Sequence, residues 1–145
     1  MRVAFRNQPL PFHPHAMPAA EAAMAANAQG KFWEMHDKIF GDQAHMERAD
    51  FEKYAQQLGL NMARFKADLD SHKYKEQIEA DSKRGSAVGA SGTPAFFING
   101  TPLTGAQPFE SFKAAIDKEM KHADELLKKG TPLAKLYDEI LTGIK

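Results

Sequence analysis

Apolar residues in this chain recur mostly at helical spacing, and they close up into one short unbroken run at Ala95-Phe96-Phe97-Ile98. Residues 17–28 are almost pure helix former, with Pro18 in the first turn, where its missing N–H breaks no hydrogen bond, and Gly30 just past the end. So many alanines permit close approach of a sheet or a second helix. Residues 31–40 follow, with Phe32, His36, Ile39 and Phe40 on one face of a 3.6-residue period beside Trp33 and Met35. Asp50, Phe51, Tyr54, Ala55 and Leu58 predict a short capped helix ending at Gly59, and Asn61 caps another that carries Met62, Phe65 and Leu69. A more polar helix over residues 73–87 ends at Gly85 or Gly89. Beyond the apolar run, Phe109, Phe112, Ile116, Met120 and Ala123 mark a long amphipathic helix that Pro108 starts and Leu126 and Leu127 continue towards Gly130. A last helix begins near Thr131-Pro132 and aligns Leu133, Leu136, Tyr137, Ile140, Leu141 and Ile144, a stripe strong enough to require docking on its own chain or on another.

The run itself predicts a buried strand over residues 95–98. Gly92-Thr93-Pro94 precedes it, and Asn99-Gly100 follows as a tight turn into a returning strand over residues 101–104. Near the start of the chain, Val3-Ala4-Phe5 between Arg2 and Arg6-Asn7, with Pro9 and Pro11 beyond, predicts a short buried parallel strand over residues 2–7. A strand that begins just after an X-Pro bond is a place where a cis peptide can be held, so Thr93-Pro94 is either cis or the commoner trans.

With 145 residues, 43% of them apolar, the chain is long enough for one domain with a sizeable core, taken as residues 1–145. Its 19 basic and 19 acidic residues balance, which points away from nucleic acid and from membrane surfaces as partners. No stretch approaches the roughly 18 apolar residues of a membrane span, and no hydrophobic signal core follows Met1-Arg2-Val3, so the chain as written is expected to stay where it is made. Cysteine is absent, which excludes disulfides and thiolate metal sites and leaves the compartment open. His13 and His15 flank Pro14 in a proline-rich loop, yet no nearby acid completes a ligand set, so a solvent-facing or capping loop is the better reading and no metal is expected. Among apolar neighbours, His36 reads as a hydrogen-bonded core histidine before a catalytic base. Asp37, Asp42, Asp68 and Asp70 read as solvated helix acids. No phosphate-cradling loop, Ser-His-Asp order or paired-carboxylate motif stands out, and no cofactor is called for. The one site that the sequence marks is Gly92, Thr93 and Pro94.

Several motifs occur together and in order: Pro9-Leu10-Pro11-Phe12-His13-Pro14-His15-Ala16, the alanine-rich helix, Gly30-Lys31-Phe32-Trp33-Glu34-Met35-His36-Asp37, and Gly92-Thr93-Pro94 with Phe97-Ile98-Asn99-Gly100. Over roughly residues 2–120 this order resembles the DsbA-like branch of the thioredoxin superfamily. The resemblance implies an α/β, thioredoxin-like fold of DsbA type, with a helical insertion over about residues 16–88, a ββα unit over about 93–128 and an extra C-terminal helix over about 131–144. It implies a cis Thr93-Pro94 bond with the Thr93 backbone at the mouth of the former active site, and a packing role for Trp33, His36 and Asp37. An extended peptide or protein as substrate, and a bacterial periplasm or cell envelope as the setting, are implied too. The family's Cys-x-x-Cys has no counterpart here. The matching region starts downstream of that motif, as an N-terminally truncated domain without the central strand and the start of the active-site helix.

Two functions follow as expectations. The first is a domain of the DsbA-like thiol–disulfide oxidoreductase family, without redox activity as written, because thiolate attack needs a sulfur that this chain lacks. The second is a non-catalytic peptide-binding or assembly module. Loss of the central strand leaves its two neighbours with unpaired backbone groups, each costing about 1–3 kcal/mol if buried without a partner. The expected repair is a symmetric homodimer formed by strand or helix exchange, with an apolar interface above roughly 2,000 Å². The competing repair is internal, with the first strand sliding over to the hairpin.

Overall fold

The computed structural model describes residues 2–142, which fall into two compact units divided after Gly89. The first unit is helical: α1 (Ala16–Asn27), α2 (Phe32–Gly41), α3 (Arg48–Gln57), α4 (Met62–Asp70) and α5 (Lys75–Ala87). Helix α1 packs against all four of the others. Its alanines explain why it can. Ala22, Ala25 and Ala26 are fully buried, and single methyl groups let the α1 backbone approach its neighbours closely. Around it Met35, Phe51 and Phe65 fill the centre of the core, with Tyr54, Leu60 and Leu69 beside them.

Helix starts follow local chemistry. The Asn61 side chain accepts from the Arg64 N–H at 3.0 Å, capping α4. At α3 the cap is Glu47, in a reciprocal box in which the Asp50 carboxylate accepts from the Glu47 N–H at 3.0 Å.

Three sequence expectations are corrected in this unit. Residues 2–10 have no regular secondary structure, so the strand expected over residues 2–7 is absent; a strand exists only where a neighbour takes its backbone hydrogen bonds, and none does so here. On α2 the residues that enter the core are Met35 and Ile39, whereas Phe40 is 58% exposed. Phe32 packs against this core as well, and it joins a ring cluster with Phe5, Trp33 and His36 that His36 extends to Phe40 on the adjoining face. Finally, Asp68 is buried, where a solvated acid was expected. The turn between α4 and α5 folds back over it, so that its carboxylate accepts from Lys73 Nζ at 2.7 Å and from the Tyr74 hydroxyl at 3.1 Å.

Between α2 and α3, His45 Nδ1 lies 2.8 Å from Asp42 Oδ1. That hydrogen bond, with the attraction of the opposite charges, raises the His45 pKa and lowers that of Asp42. The His45 contribution to stability is therefore complete below the ordinary histidine value of about 6.5 and fades as pH rises through the raised value. The Asp42 contribution is complete above the ordinary carboxylate value of about 4 and fades as pH falls through the lowered one. An NMR titration of the His45 ring is expected to give a midpoint above the ordinary value, and Asp42→Asn to bring it back. An unchanged midpoint in Asp42→Asn would show that the pair does not form in solution.

The second unit holds β1 (Ala95–Ile98), β2 (Thr101–Thr104), α6 (Phe109–Lys128), a 3-10 turn over Leu133–Lys135 and α7 (Leu136–Thr142). The two strands form an antiparallel hairpin, in the register Ala95 to Thr104, Phe96 to Leu103, Phe97 to Pro102 and Ile98 to Thr101. Asn99 and Gly100 have φ of 49° and 87°, the left-handed pair that a two-residue turn needs to match strand twist, and glycine tolerates it without a Cβ clash. Helix α6 lies against β1, where Phe96 and Phe112 meet edge to face at 4.7 Å.

The strand over residues 95–98 is less covered than expected, since Phe96 is 38% and Phe97 43% exposed. Two strands carry too few neighbouring side chains to enclose it. The terminal helix docks on α6 through Ile140, which is buried, while Tyr137 and Leu133 of its predicted stripe stay exposed. Ile144 lies outside the described residues.

Candidate functional site at the Thr93-Pro94 loop and the β1 edge

The marked residues sit together in one bend that leads into β1. Gly92 is half-buried, Thr93 and Pro94 are exposed, and the Thr93–Pro94 peptide bond is cis. A Cβ on Gly92 would meet nothing within 4 Å. The Pro94 carbonyl accepts from the Gly105 N–H at 2.9 Å, which ties the bend to the end of β2. Gln107 braces the same corner: its Nε2 donates to the Thr104 carbonyl at 2.9 Å.

The hairpin register determines which way the remaining backbone groups of β1 face. A two-residue turn makes Ile98 and Thr101 a hydrogen-bonded pair, and bonding alternates from there. Phe96 and Leu103 are the next bonded pair, and the bond from Gly105 to Pro94 continues the series. Ala95 and Phe97 occupy the non-bonded pairs between, so their N–H and C=O groups point away from β2. No hydrogen bond to Thr93, Ala95 or Phe97 from outside the hairpin is found among the described residues. The outer edge of β2 differs. Pro102 sits opposite Phe97, so its ring nitrogen faces outward and that edge has no donor there.

Electrostatics near the hairpin are mild. Glu119 is the buried acid of this unit; its carboxylate accepts from the Thr101 hydroxyl at 3.4 Å, with His122 at 4.0 Å. No thiol exists anywhere in the chain. No group of three or more metal-ligating side chains converges among the described residues. The His13 ring meets that of Phe12 at a tilt, with 4.6 Å between ring centres, and His15 precedes α1 with Glu47 at 3.7 Å. His36 keeps a contact with Asp37 at 2.9 Å inside the ring cluster of the first unit.

Sequence reasoning missed a second concavity, of about 380 Å³, within the first unit. Phe5, Phe32 and Trp33 form its apolar wall, and Asp81 is its buried acid, 3.4 Å from an Arg6 nitrogen and 3.5 Å from the Asn7 N–H. Asp81 belongs to a polar helix and is 74 residues from Asn7, so nothing in the local pattern marks it.

Comparison with known proteins places the geometry. Among curated proteins, the Na(+)/H(+) antiporter NhaA 3 of Salinispora tropica is 39% identical over 117 residues, which cover 80% of this chain and 18% of that protein. The Na(+)/H(+) antiporter NhaA of Herminiimonas arsenicoxydans is 42% identical over 108 residues, covering 74% of this chain and 17% of that protein. The matched stretch of this chain thus covers less than a fifth of each of these relatives. No solved structure gives a significant match. Among the described residues no helix is long and apolar enough to cross a membrane. The DSBA-like thioredoxin domain family matches residues 3–142. A helical block followed by the ββα unit and a terminal helix is the order expected of such a domain. On that match, which spans nearly its whole length, the chain belongs to the DSBA-like thioredoxin domain family.

Proposed function

We propose that this DsbA-like domain binds an extended polypeptide along the Thr93-Pro94 loop and the β1 edge, and that the residues of this chain move no electrons. The carrying observation is the row of outward backbone groups at Ala95 and Phe97 beside an exposed loop. An extended peptide adds to such an edge through main-chain hydrogen bonds, with little demand on its side chains. Thiol–disulfide exchange needs an attacking thiolate, and no residue of this chain supplies one.

Fluorescence anisotropy with a labelled, uncharged, extended peptide tests the binding. Phe97→Pro removes one outward N–H and breaks no hairpin bond, because residue 97 lies at a non-bonded position. Loss of one such bond, worth about 1–1.5 kcal/mol, is expected to weaken binding about tenfold. Equal affinity in Phe97→Pro would sink the edge as the site. In a disulfide-reduction assay the purified chain is expected to add nothing to the uncatalysed rate.

The relatives favour a second reading, compatible with the first: the segment serves as one domain of a longer, antiporter-like protein, as its likeness to a small part of each named antiporter suggests. Reading the encoding frame on both sides tests it. In-frame apolar spans support that arrangement, and an in-frame Cys-x-x-Cys upstream would restore the redox chemistry of the family.

A further inference from the structure

We infer that Asn99 is a site of spontaneous covalent modification, at which the side-chain amide is lost as ammonia, and that the closed hairpin turn is what holds the reaction back. The chain has four asparagines, Asn7, Asn27, Asn61 and Asn99, followed in turn by Gln8, Ala28, Met62 and Gly100. Only Gly100 lacks a side chain, so only at Asn99 is the next main-chain nitrogen unshielded. That nitrogen also stands outside the ladder, because Ile98 and Thr101 close the turn. No hydrogen bond from the Gly100 N–H or to the Asn99 side chain is found among the described residues. The Asn61 side chain, by contrast, is held by the Arg64 N–H at 3.0 Å.

The chemistry needs only water. The Gly100 nitrogen gives its proton to solvent base and attacks Cγ of Asn99. A bond forms between them, the Cγ–Nδ2 bond breaks, and Nδ2 takes a proton from water and leaves as ammonia. Water then opens the cyclic imide at one of its two carbonyl carbons. Cleavage of the new bond leaves aspartate, and cleavage of the original peptide bond leaves isoaspartate, whose main chain runs through Cβ and Cγ. One water is consumed, one ammonia is released, and nothing is oxidised or reduced.

The turn opposes the first step. Asn99 and Gly100, with φ of 49° and 87°, fit a type I′ turn, in which ψ of the first residue is about +30°. Ring closure requires the Gly100 nitrogen to eclipse the Asn99 Cβ about the Cα–C bond, and at that ψ the two lie on nearly opposite sides. The attack therefore waits for the turn to open, a local event that does not require the rest of the chain to unfold.

The two products differ in their effect. Asp-Gly suits the same turn as Asn-Gly, so the aspartyl product keeps the hairpin. The isoaspartyl product carries an extra carbon in the main chain, and Ile98 and Thr101 can no longer face each other across it. Release of that pair frees the register of β2, and with it the hydrogen bond from the Gly105 N–H to the Pro94 carbonyl. Chemistry at the tip of the hairpin thus loosens the bend at its other end, whether or not that bend binds a peptide.

Peptide mapping by mass spectrometry tests this on the chain held in mildly alkaline buffer, folded or unfolded in urea. A gain of one mass unit is expected at position 99, at least tenfold faster in urea, while the other three asparagines stay unchanged over the same time. Asn99→Gly, which leaves a Gly-Gly turn, is expected to lose the signal and keep the far-UV circular dichroism spectrum. Ion exchange separates the products by their added negative charge. Hydrogen exchange of the Phe96 and Ile98 amides is expected to stay slow in the aspartyl form and to rise at least tenfold in the isoaspartyl form. Equal conversion rates in the folded and unfolded chain would overturn the protective role of the turn. No conversion at position 99 in urea, or faster conversion at another asparagine, would overturn the site. An isoaspartyl form with full amide protection would overturn its effect on the hairpin.

Discussion

Phe65→Ala is expected to remove about 3–5 kcal/mol from the stability of residues 2–89, the cost of deleting an aromatic ring from a core that cannot collapse around the gap. Phe65 is completely buried and projects from α4 into the centre of the helical unit, where α4 meets α1 and α3. Phe51 and Met35 are equally enclosed, so few exposed side chains can swing in to refill the space. Small domains retain about 5–15 kcal/mol in total, so the variant is left marginal or unfolded at room temperature. Urea unfolding followed by far-UV circular dichroism reads the change, and Phe65→Leu, which keeps most of the volume, is expected to lose about 1.5 kcal/mol or less. A midpoint for Phe65→Ala within error of wild type would show that the core is not packed around α4 as described.

Ala25→Leu tests the opposite kind of error. Helix α1 touches four neighbours, and at Ala22, Ala25 and Ala26 no surface remains. A leucine there adds three carbons where close packing leaves no void, and only separation of helices makes room. Overpacking of this kind costs about 1–3 kcal/mol. Ala20→Leu, on the half-exposed side of the same helix, is expected to stay within about 0.5 kcal/mol of wild type, because its side chain extends towards solvent. The pair of variants separates tight packing from helix propensity, since leucine and alanine both favour helices and the substitution is the same at both sites. Equal stability of the two would remove the argument that alanine is needed for close approach.

What the sequence made legible was whatever is decided within a few residues. Asn99-Gly100 specifies its own turn through two left-handed residues, and both strands fall where the pattern places them. Asn61 caps its helix through a neighbour three residues on. Partners far along the chain left no such trace. The apolar run Val3-Ala4-Phe5 has strand composition, but its state depends on a neighbour to receive its hydrogen bonds, and residues 2–10 stay irregular. Asp68 looks like any helix acid until the α4–α5 turn brings Lys73 and Tyr74 onto it. At the candidate site the residue types were legible and the direction of the backbone groups was not. Periodicity marks Phe97 as apolar, and only its pairing with Pro102 reveals which way its N–H faces.

Pro102 also limits how far association through this hairpin can go. Sheet assembly is ordinarily open-ended, because each strand added presents a fresh edge to the next. On the outer side of β2 the ring nitrogen of Pro102 carries no proton, so a strand laid there would forgo a main-chain hydrogen bond in the middle of its ladder. A single imino acid thus makes that side of the hairpin a poor template for further growth.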